Sequence, residues 1–453
     1  SGLKYDFVIH PGGNPDDIHM EYKWAKDIEI TDNDSKLRIS GPFGEIHEGS
    51  VVTYQYNETF HDNNHQEALS VKGKELSSGF RKINDHEIGF YIKKFDNTKT
   101  TVIDPPFYLV WSTYYGASND EEAYSIDIDN SGNIYVAGST RSTDFPLDTL
   151  PGAYNQGTHE GLNDAFILKF NSSCILLWAT YYGGSDADVA QSVAVDNSGN
   201  VFFTGFTEST DFPVDSLPGA YYQGSYSGGL LQGDIFILKF NSAGQRLWAT
   251  YYGGSADEDG ASISVDKNNN IFITGKTKST DLPVQNLTGA YYQDTLALGG
   301  FGLQTDAFIL KFTNSGELKW ATYYGGTKTE WGSSIYTDGN GDIYITGSSE
   351  STDFPVKLLS GAYYQDTCTG NDDVFILKFD NNGGRLWATY YGGSLGERGL
   401  SVTTDNNNNV FINGWTNSTD LPVDSLSGAF NQTTNNGGTE MFVLKFNSNG
   451  QRL

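Results

Sequence analysis

Aspartates in a repeated phrase are the reactive side chains that this sequence spaces most regularly. The phrase S-T-D-[FL]-P occurs five times, and its aspartates are Asp144, Asp211, Asp281, Asp353 and Asp420. If the repeats close around an axis, these carboxylates form a ring that suits a cation or a polar ligand. The phrase also fits a structural role, because Asp caps turns and the following Pro fixes the chain direction. We favour capping and keep the five aspartates as candidate ligand-face residues.

A second set of aspartates opens short turns that are rich in Asn and Gly, namely Asp129, Asp196, Asp266, Asp338 and Asp405. Their oxygens are of the kind that calcium prefers, but the glutamate that ends an EF-hand loop is absent. Asn and Gly tolerate positive φ, which favours tight hairpins. We therefore predict turns here, no metal site and no cofactor, with calcium as the one ion left open.

The residues of acid–base and nucleophilic catalysis form no recurring cluster. Six of the seven histidines lie before residue 107, and the seventh, His159, occurs in a single repeat. No H-E-x-x-H metalloprotease motif is present. Acids such as Asp186 and Asp188 could serve as the two carboxyl groups of a glycosidase, yet the copies are too alike to mark one active site. We predict that the chain is not an enzyme.

The elements that position these residues come from an internal repeat. The phrase W-[AS]-T-Y-Y-G begins at Trp111, Trp178, Trp248, Trp320 and Trp387, at intervals of 67, 70, 72 and 67 residues. Each is followed in order by S-[IV]-x-x-D, a phrase close to N-[IV]-[YF]-x-x-G, S-T-D-[FL]-P, G-A-[YF]-[YN]-Q and F-[IV]-L-K-F. Length differences fall in one loop of each copy, at 157–163, 224–233, 294–305, 366–372 and 433–439. We expect the last four tryptophans to be packing residues.

Four of these phrases predict short antiparallel strands, because they are rich in β-formers and bounded by Gly, Asn or Asp. Both alternating faces of F-[IV]-L-K-F are apolar, which is typical of a sheet packed on both sides. We therefore predict an all-β fold, a β-propeller of five four-stranded blades with the Trp phrase outermost. Residues 109–116 should pair with 441–446 and close the ring. The rival is an open array, or a filament or homo-oligomer in which a neighbouring molecule donates that strand.

The phrases resemble the bacterial SBBP, or "seven-bladed β-propeller", repeat, whose blades carry D-x-x-G-N-x-Y-V-x-G, S-x-D-F-P and T-Y-L-G-G. The resemblance covers about residues 107–453, where this sequence has five copies. Residues 1–106 look like the later part of the small β-rich domain that commonly precedes such repeats, and we expect its start to be missing. The resemblance implies a secreted or surface-attached protein.

Charge and composition exclude several classes of partner. A formal net charge of −28 disfavours nucleic acid and anionic membranes, and no apolar stretch approaches the roughly 20 residues of a membrane span. The two cysteines, Cys174 and Cys368, cannot form a disulfide framework. Asp-[ST]-Leu tripeptides resemble the O-glycan acceptor of Bacteroidetes-type secreted proteins, which makes Thr149, Ser216 and Ser425 candidate glycosylation sites. We predict an extracellular location.

The pattern of variation indicates binding. The strand phrases are nearly uniform, whereas the five loops differ and should share one face with the acidic turns. A uniform scaffold that presents variable loops is a common form of binding surface. We predict an extracellular structural or binding scaffold for adhesion or self-assembly, with glycans, proteins or copies of itself as partners. The alternative is a carbohydrate-active hydrolase or lyase in the propeller funnel, and a cluster that breaks the symmetry would favour it.

Overall fold

The computed structural model describes residues 7–23, 25–31, 36–41, 44–49, 51–56, 74–104, 111–228, 233–299, 304–424 and 432–453. The chain divides into two units, Ser1–Tyr114 and Tyr115–Leu453. Within the described residues it is all-β, with five four-stranded and three three-stranded antiparallel sheets. The described helical content is one 3-10 turn at Pro15–Asp17. The predicted fold class is confirmed at this level.

The first unit contains three of the sheets. Its strands are β1 Phe7–Ile9, β2 Met20–Glu21, β3 Asp27–Thr31, β4 Lys36–Gly41, β5 Gly44–Glu48, β6 Val52–Tyr56, β7 Lys74–Leu76, β8 Ser78–Asn84, β9 Glu87–Ile92 and β10 Thr100–Asp104. They pair in the orders β1-β10-β6-β7, β2-β9-β8 and β3-β4-β5. Ile28, Ile39, Phe80 and Phe90 from different strands share one buried core.

The second unit contains five sheets in which strand order follows sequence order, as expected for propeller blades. The blades are β11 Glu121–Ile128, β12 Ile134–Thr140, β13 Asp164–Phe170, β14 Leu176–Tyr182; β15 Asp188–Val195, β16 Val201–Thr207, β17 Asp234–Phe240, β18 Arg246–Tyr252; β19 Glu258–Val265, β20 Ile271–Thr277, β21 Asp306–Phe312, β22 Leu318–Tyr324; β23 Glu330–Thr337, β24 Ile343–Ser349, β25 Asp373–Phe379, β26 Arg385–Tyr391; β27 Glu397–Thr404, β28 Val410–Thr416, β29 Glu440–Phe446.

Apolar side chains hold successive blades together. The inner strands β11, β15, β19, β23 and β27 contact one another in that order. One core joins Ile237 and Trp248 of the second blade to Ile273 and Leu310 of the third, and equivalent cores lie at neighbouring junctions. Every residue of β17 is buried, because the strand is covered on both faces.

The expectation that the repeated tryptophans are packing residues is confirmed. Trp178, Trp248, Trp320 and Trp387 are at most 1% exposed. Each indole Nε1 donates to the backbone oxygen of a tyrosine in the G-A-Y-Y-Q phrase, at 2.8 to 3.0 Å. The indole therefore fastens the outer strand to the connection that crosses it.

The predicted ring closure by residues 109–116 is wrong for the part of this segment that the structure describes. Residues 111–116 form no strand, and the fifth sheet has three strands, in the order β27-β28-β29. Ile126 in β11 is 66% exposed, whereas the equivalent Val193 in β15 is 5% exposed. Ile126 is therefore not covered by an adjoining blade as Val193 is. Tyr115 instead packs against Phe145 and Phe170 of the first blade, which holds the end of the phrase there. Strand donation by a neighbouring molecule stays a prediction.

Candidate functional site

One end of the blades gathers the features that the sequence singled out, and we call it the loop end. Strand pairing places Thr140 opposite Asp164 and Ala165 opposite Tyr182, so the long connections and the turns between blades leave from the same end. The first blade's S-T-D-F-P phrase follows β12 directly at this end. The variable loops and the acidic turns therefore share one face.

The recurring S-T-D aspartates at the loop end cap turns through one carboxylate oxygen, Oδ1. Each accepts, through Oδ1, the backbone N–H and the hydroxyl of a residue 26 positions earlier, at 2.6 to 3.2 Å. The pairs are Asp144 with Ser118, Asp211 with Ser185, Asp281 with Ser255, Asp353 with Thr327 and Asp420 with Ser394. These hydrogen bonds lower the pKa of Asp144, Asp211, Asp281 and Asp420. All five stay exposed.

The hairpin aspartates lie at the opposite end and cap their own turns, as predicted. Asp196 Oδ1 accepts the backbone N–H groups of Ser198 and Asn200, both at 2.8 Å. Asp266 and Asp405 make equivalent bonds. A cleft of about 390 Å³ lies among these turns. Within the described residues, no three His, Cys, Asp or Glu side chains are grouped as metal ligands.

The candidate glycosylation residues lie beside the outer strands. Thr149 and Ser216 are exposed, and the preceding aspartates, Asp148 and Asp215, form backbone bridges to Ala179 and Ala249 of β14 and β18. Ser425 lies outside the described residues. The structure leaves both described hydroxyls accessible, and their modification stays a prediction.

The sequence reasoning overlooked a serine in a nucleophile-elbow pattern. Residues 392–396 read G-G-S-L-G, which fits the G-x-S-x-G motif of α/β-hydrolases. That motif requires a helix after the serine, whereas Ser394 precedes strand β27. Its Oγ donates to Asp420 at 3.0 Å, and the one histidine of the described propeller unit, His159, belongs to the first blade's loop. Ser394 is therefore a capped turn residue.

A row of chemically different residues at the loop end also escaped the sequence reasoning. It consists of the second residue of each inner strand with its partner on the next strand, and we call it the variable row. Its pairs are Glu122 and Ser139, Val189 and Phe206, Asp259 and Lys276, Trp331 and Ser348, and Arg398 and Trp415. The second strand of each blade otherwise repeats closely, whereas the inner strand also varies at its fourth and seventh residues. Aligning the five copies by position would have revealed it.

Cations and indole rings alternate along the last three blades of the variable row. Lys276 Nζ lies 4.0 Å from the ring centre of Trp331, and the Arg398 guanidinium lies 5.9 Å from Trp331 and 5.6 Å from Trp415. Such distances suit cation–π attraction. Each cation also pairs with a carboxylate, Lys276 with Asp259 at 3.5 Å and Arg398 with Asp372 at 3.1 Å.

The cluster is accessible. The Arg398 side chain is 40% exposed and that of Lys276 is 17% exposed, and both indoles are half-buried. The buried Trp331 Nε1 has no hydrogen-bond partner. The structure therefore presents aromatic and charged groups beside the inner strands, at a position where the five copies differ in chemistry.

Comparison with protein families assigns both units. Residues 110–146, 177–213, 247–283 and 319–355 match the β-propeller repeat SBBP, and residues 1–106 match a domain of unknown function, DUF7948. The resemblance to the SBBP repeat is therefore confirmed. No helix of the described residues has the length and apolarity needed to cross a bilayer.

The curated relatives are much longer than this chain. An uncharacterized WD repeat-containing protein, L264, from Acanthamoeba polyphaga mimivirus is 26% identical over 409 residues, which cover 76% of this chain and 29% of the relative. The regulatory protein FlaEY from Caulobacter vibrioides is 22% identical over 152 residues, or 34% of this chain and 14% of that protein. The chain thus spans less than a third of either relative.

Similar solved structures are distant. A gluconolactonase, XC5397 from Xanthomonas campestris, is 10% identical with a TM-score of 0.31, covering 91% of this chain and 86% of that chain. The RS223 β-xylosidase has the same identity and TM-score, with 75% and 95% covered. At these TM-scores the similarity carries no inference about activity.

Proposed function

We propose that this SBBP β-propeller repeat protein is a non-catalytic extracellular binding scaffold that contacts its ligand at the variable row. The observation that carries the proposal is the cluster of Lys276, Trp331, Arg398 and Trp415. A binding surface on a repeat scaffold is expected where neighbouring repeats stop being alike. Trp and Arg are also the residue types that most often dominate binding energy.

The other features of the loop end support a binding role. Five exposed aspartates, each fixed through one oxygen, leave the second oxygen available around the same face. The net charge of −28 favours solubility and disfavours binding to nucleic acids or to anionic membranes. Indole faces beside fixed charges suit a glycan, whose rings are apolar on their faces and polar at their edges. Glycans are therefore the first partner class to test, before proteins or further copies of the chain.

Replacing Trp331 or Arg398 with alanine should weaken glycan binding at least about tenfold, because each removes a central contact. Binding of the full chain to a polysaccharide array, followed by titration of the best ligand, measures the effect. Lys319→Ala is the matched control, since Lys319 is a half-exposed cation on outer strand β22. Equal affinity for all variants, with unchanged melting temperatures, would remove the variable row from the binding site.

The alternative is a carbohydrate-active hydrolase or lyase, and the asymmetry of the variable row is the observation in its favour. Against it, Asp259 and Asp372 are each paired with a cation. Burial raises the pKa of Asp259 while Lys276 opposes that rise. We expect no turnover of polysaccharides or aryl glycosides. Hydrolysis that disappears in Asp259→Asn or Asp372→Asn would establish the enzyme instead.

A further inference from the structure

Two fully buried carboxyl groups meet at each junction that follows one of the two long variable loops, 224–233 and 294–305. Asp234 begins β17 and faces Glu258, which begins β19 of the next blade; Asp306 of β21 faces Glu330 of β23 in the same way. All four residues are 0% exposed. Burying two carboxylates together without a compensating charge is strongly unfavourable.

A glycine lies against each pair. The position that a Cβ on Gly253 would occupy is 2.5 Å from Asp234 Oδ1 and 2.6 Å from Glu258 Oε2. A Cβ on Gly325 would be equally close to Asp306 Oδ1 and Glu330 Oε2. The two oxygens of each pair therefore lie within about 5 Å of each other, in a space that any larger residue would fill.

The aspartate of each pair has one satisfied and one unsatisfied oxygen. Asp234 Oδ2 accepts from Gln223 Nε2 at 2.8 Å and from the Ser227 backbone N–H at 2.9 Å. Asp306 Oδ2 likewise accepts from Gln293 Nε2 and the Ala297 N–H. Asp234 Oδ1 and Asp306 Oδ1 are buried and accept no hydrogen bond from the described residues. A buried carboxylate oxygen without a donor from the protein requires another source of a hydrogen bond or positive charge, namely a proton, a water molecule or a cation.

The junctions that follow short variable loops also bury carboxyl pairs, Asp164 with Asp188 and Asp373 with Glu397, and they provide the comparison for the aspartate that follows the loop. Asp188 Oδ1 in the first of these pairs also accepts no hydrogen bond from the described residues. There the glycine N–H groups of Gly161 and Gly370 donate to Asp164 Oδ1 at 3.0 Å and to Asp373 Oδ1 at 3.1 Å. The loops in question, 157–163 and 366–372, have seven residues each. Loop length therefore coincides with whether the aspartate's second oxygen receives a backbone donor.

No cation compensates the long-loop pairs within the described structure. Lys276 pairs with Asp259 and Lys278 with Asp257 at 2.9 Å, and Lys328, which precedes Glu330 by two residues, is exposed. The surrounding titratable groups are acids and phenols: Tyr221, Tyr226, Tyr251, Tyr252 and Tyr323, with Asp353 next to Asp306. Burial raises the pKa of all five phenols, so they stay neutral.

The two glutamates already face donors. Glu258 Oε2 accepts from the Gly254 N–H at 2.8 Å, and its Oε1 accepts from Thr277 Oγ1 at 2.6 Å. Glu330 accepts from the Gly326 N–H and from Ser349 Oγ. These donors suit an ionised glutamate, which leaves the aspartate as the partner that carries a proton.

We propose that each long-loop junction binds one proton between its two carboxyl groups, donated from Asp234 Oδ1 to Glu258 Oε2 and from Asp306 Oδ1 to Glu330 Oε2. The proton satisfies the orphan oxygen and removes the repulsion between two buried anions. Protonation thereby couples the packing of the second blade on the third, and of the third on the fourth, to pH. This inference does not depend on the proposed ligand site.

Burial raises the pKa of both partners, which agrees with one proton held by each pair and fixes the direction of the effect. The hydrogen-bond donors to the glutamates, rather than these pKa values, place that proton on the aspartate. Burial raises the pKa of Asp234 to about 6, of Glu258 to about 7 and of Asp306 to about 8. A carboxyl group whose pKa is higher in the folded state binds its proton more tightly there. Its contribution to stability is complete below pH 4 and is lost as the pH rises through 6 to 8.

Thermal melts of the full chain between pH 5 and pH 9 test the proposal. The wild-type melting temperature should fall by about 5 °C or more over this range. Asp234→Asn should melt at least as high as the wild type at pH 9. Its amide oxygen can accept the hydrogen bonds that Asp234 Oδ2 accepts, and its NH₂ group can donate to Glu258 in place of the proton. Asp306→Asn repeats the test at the second junction.

Asp373→Asn is the matched control. Both oxygens of Asp373 already accept hydrogen bonds from the backbone, Oδ2 from Thr369 N–H and Oδ1 from Gly370 N–H. The NH₂ group of an asparagine would therefore face a backbone N–H, and the substitution should lower the melting temperature at every pH. A flat wild-type profile would overturn the proposal, as would Asp234→Asn and Asp306→Asn variants that are as unstable as Asp373→Asn. Recovery of alkaline stability by calcium chloride, lost in Asp234→Asn, would identify a cation site instead.

Discussion

Replacing Gly275 with alanine should unfold at least the third blade and lower the free energy of unfolding by about 4 kcal/mol or more, a loss that few single substitutions reach. Gly275 lies on β20 opposite an irregularity in β19 between Gly260 and Ser262. An added Cβ would lie 1.9 Å from the backbone oxygen of Asp259. Because this obstacle is backbone, no side-chain rotation can relieve the collision.

The same obstacle recurs in every blade, which explains the glycine in the phrase N-[IV]-[YF]-x-x-G. A Cβ would meet a backbone oxygen at 1.9 Å on Gly205, Gly347 and Gly414, and at 2.1 Å on Gly138. The β-bulge in the inner strand brings its backbone close to the second strand, where no side chain fits. Alanine at any of these positions should therefore have a similar effect.

Gly339→Ala is the control for this prediction. Its nearest neighbour to an added Cβ is Asn408 Oδ1 at 3.9 Å, and its φ is not positive. The change should alter stability by about 0.5 kcal/mol at most. Chemical denaturation followed by circular dichroism measures both variants. If Gly275→Ala and Gly339→Ala unfolded at the same denaturant concentration, the close approach of the two strands would be incorrect.

The strands could be predicted because their physical signals are local. The strand predicted at 441–446 occurs as β29, Glu440–Phe446, and the phrases S-[IV]-x-x-D and N-[IV]-[YF]-x-x-G of the fifth copy lie in or beside β27 and β28. β-rich phrases between Asn and Gly turns specify a strand without reference to the rest of the chain. The capping role of the S-T-D aspartates was foreseen for the same reason.

The candidate site could not be predicted, because its contacts join residues of different blades. Lys276 and Trp331 are 55 positions apart in the sequence, and only the packing of the third blade on the fourth brings them within 4.0 Å. Asp234 and Glu258 likewise look like ordinary acids until β17 and β19 bury them together. Ring closure failed as a prediction because complementary sequence at two ends of a repeat array does not determine their distance.

Replacing Trp320 with alanine should destabilise the propeller unit by about 3–5 kcal/mol, the range for removing a buried aromatic side chain. Trp320 is 0% exposed, its ring lies 5.5 Å from that of Phe379 in the next blade, and its Nε1 donates to the Tyr291 backbone oxygen at 2.8 Å. The cavity would open at a junction between two blades and leave that carbonyl without its donor.

The sequence provides its own control for this effect, because Trp111 occupies the same position of the same phrase but is 43% exposed. Trp111→Ala should change stability by only about 0.5 kcal/mol, as surface substitutions do. Trp320→Phe should fall between the two, since it keeps an aromatic ring and loses the N–H donor, a change of about 1 kcal/mol for the hydrogen bond. Thermal and denaturant unfolding of the three variants would measure this order. Equal losses for Trp111→Ala and Trp320→Ala would mean that the phrase, rather than its burial between blades, determines the contribution.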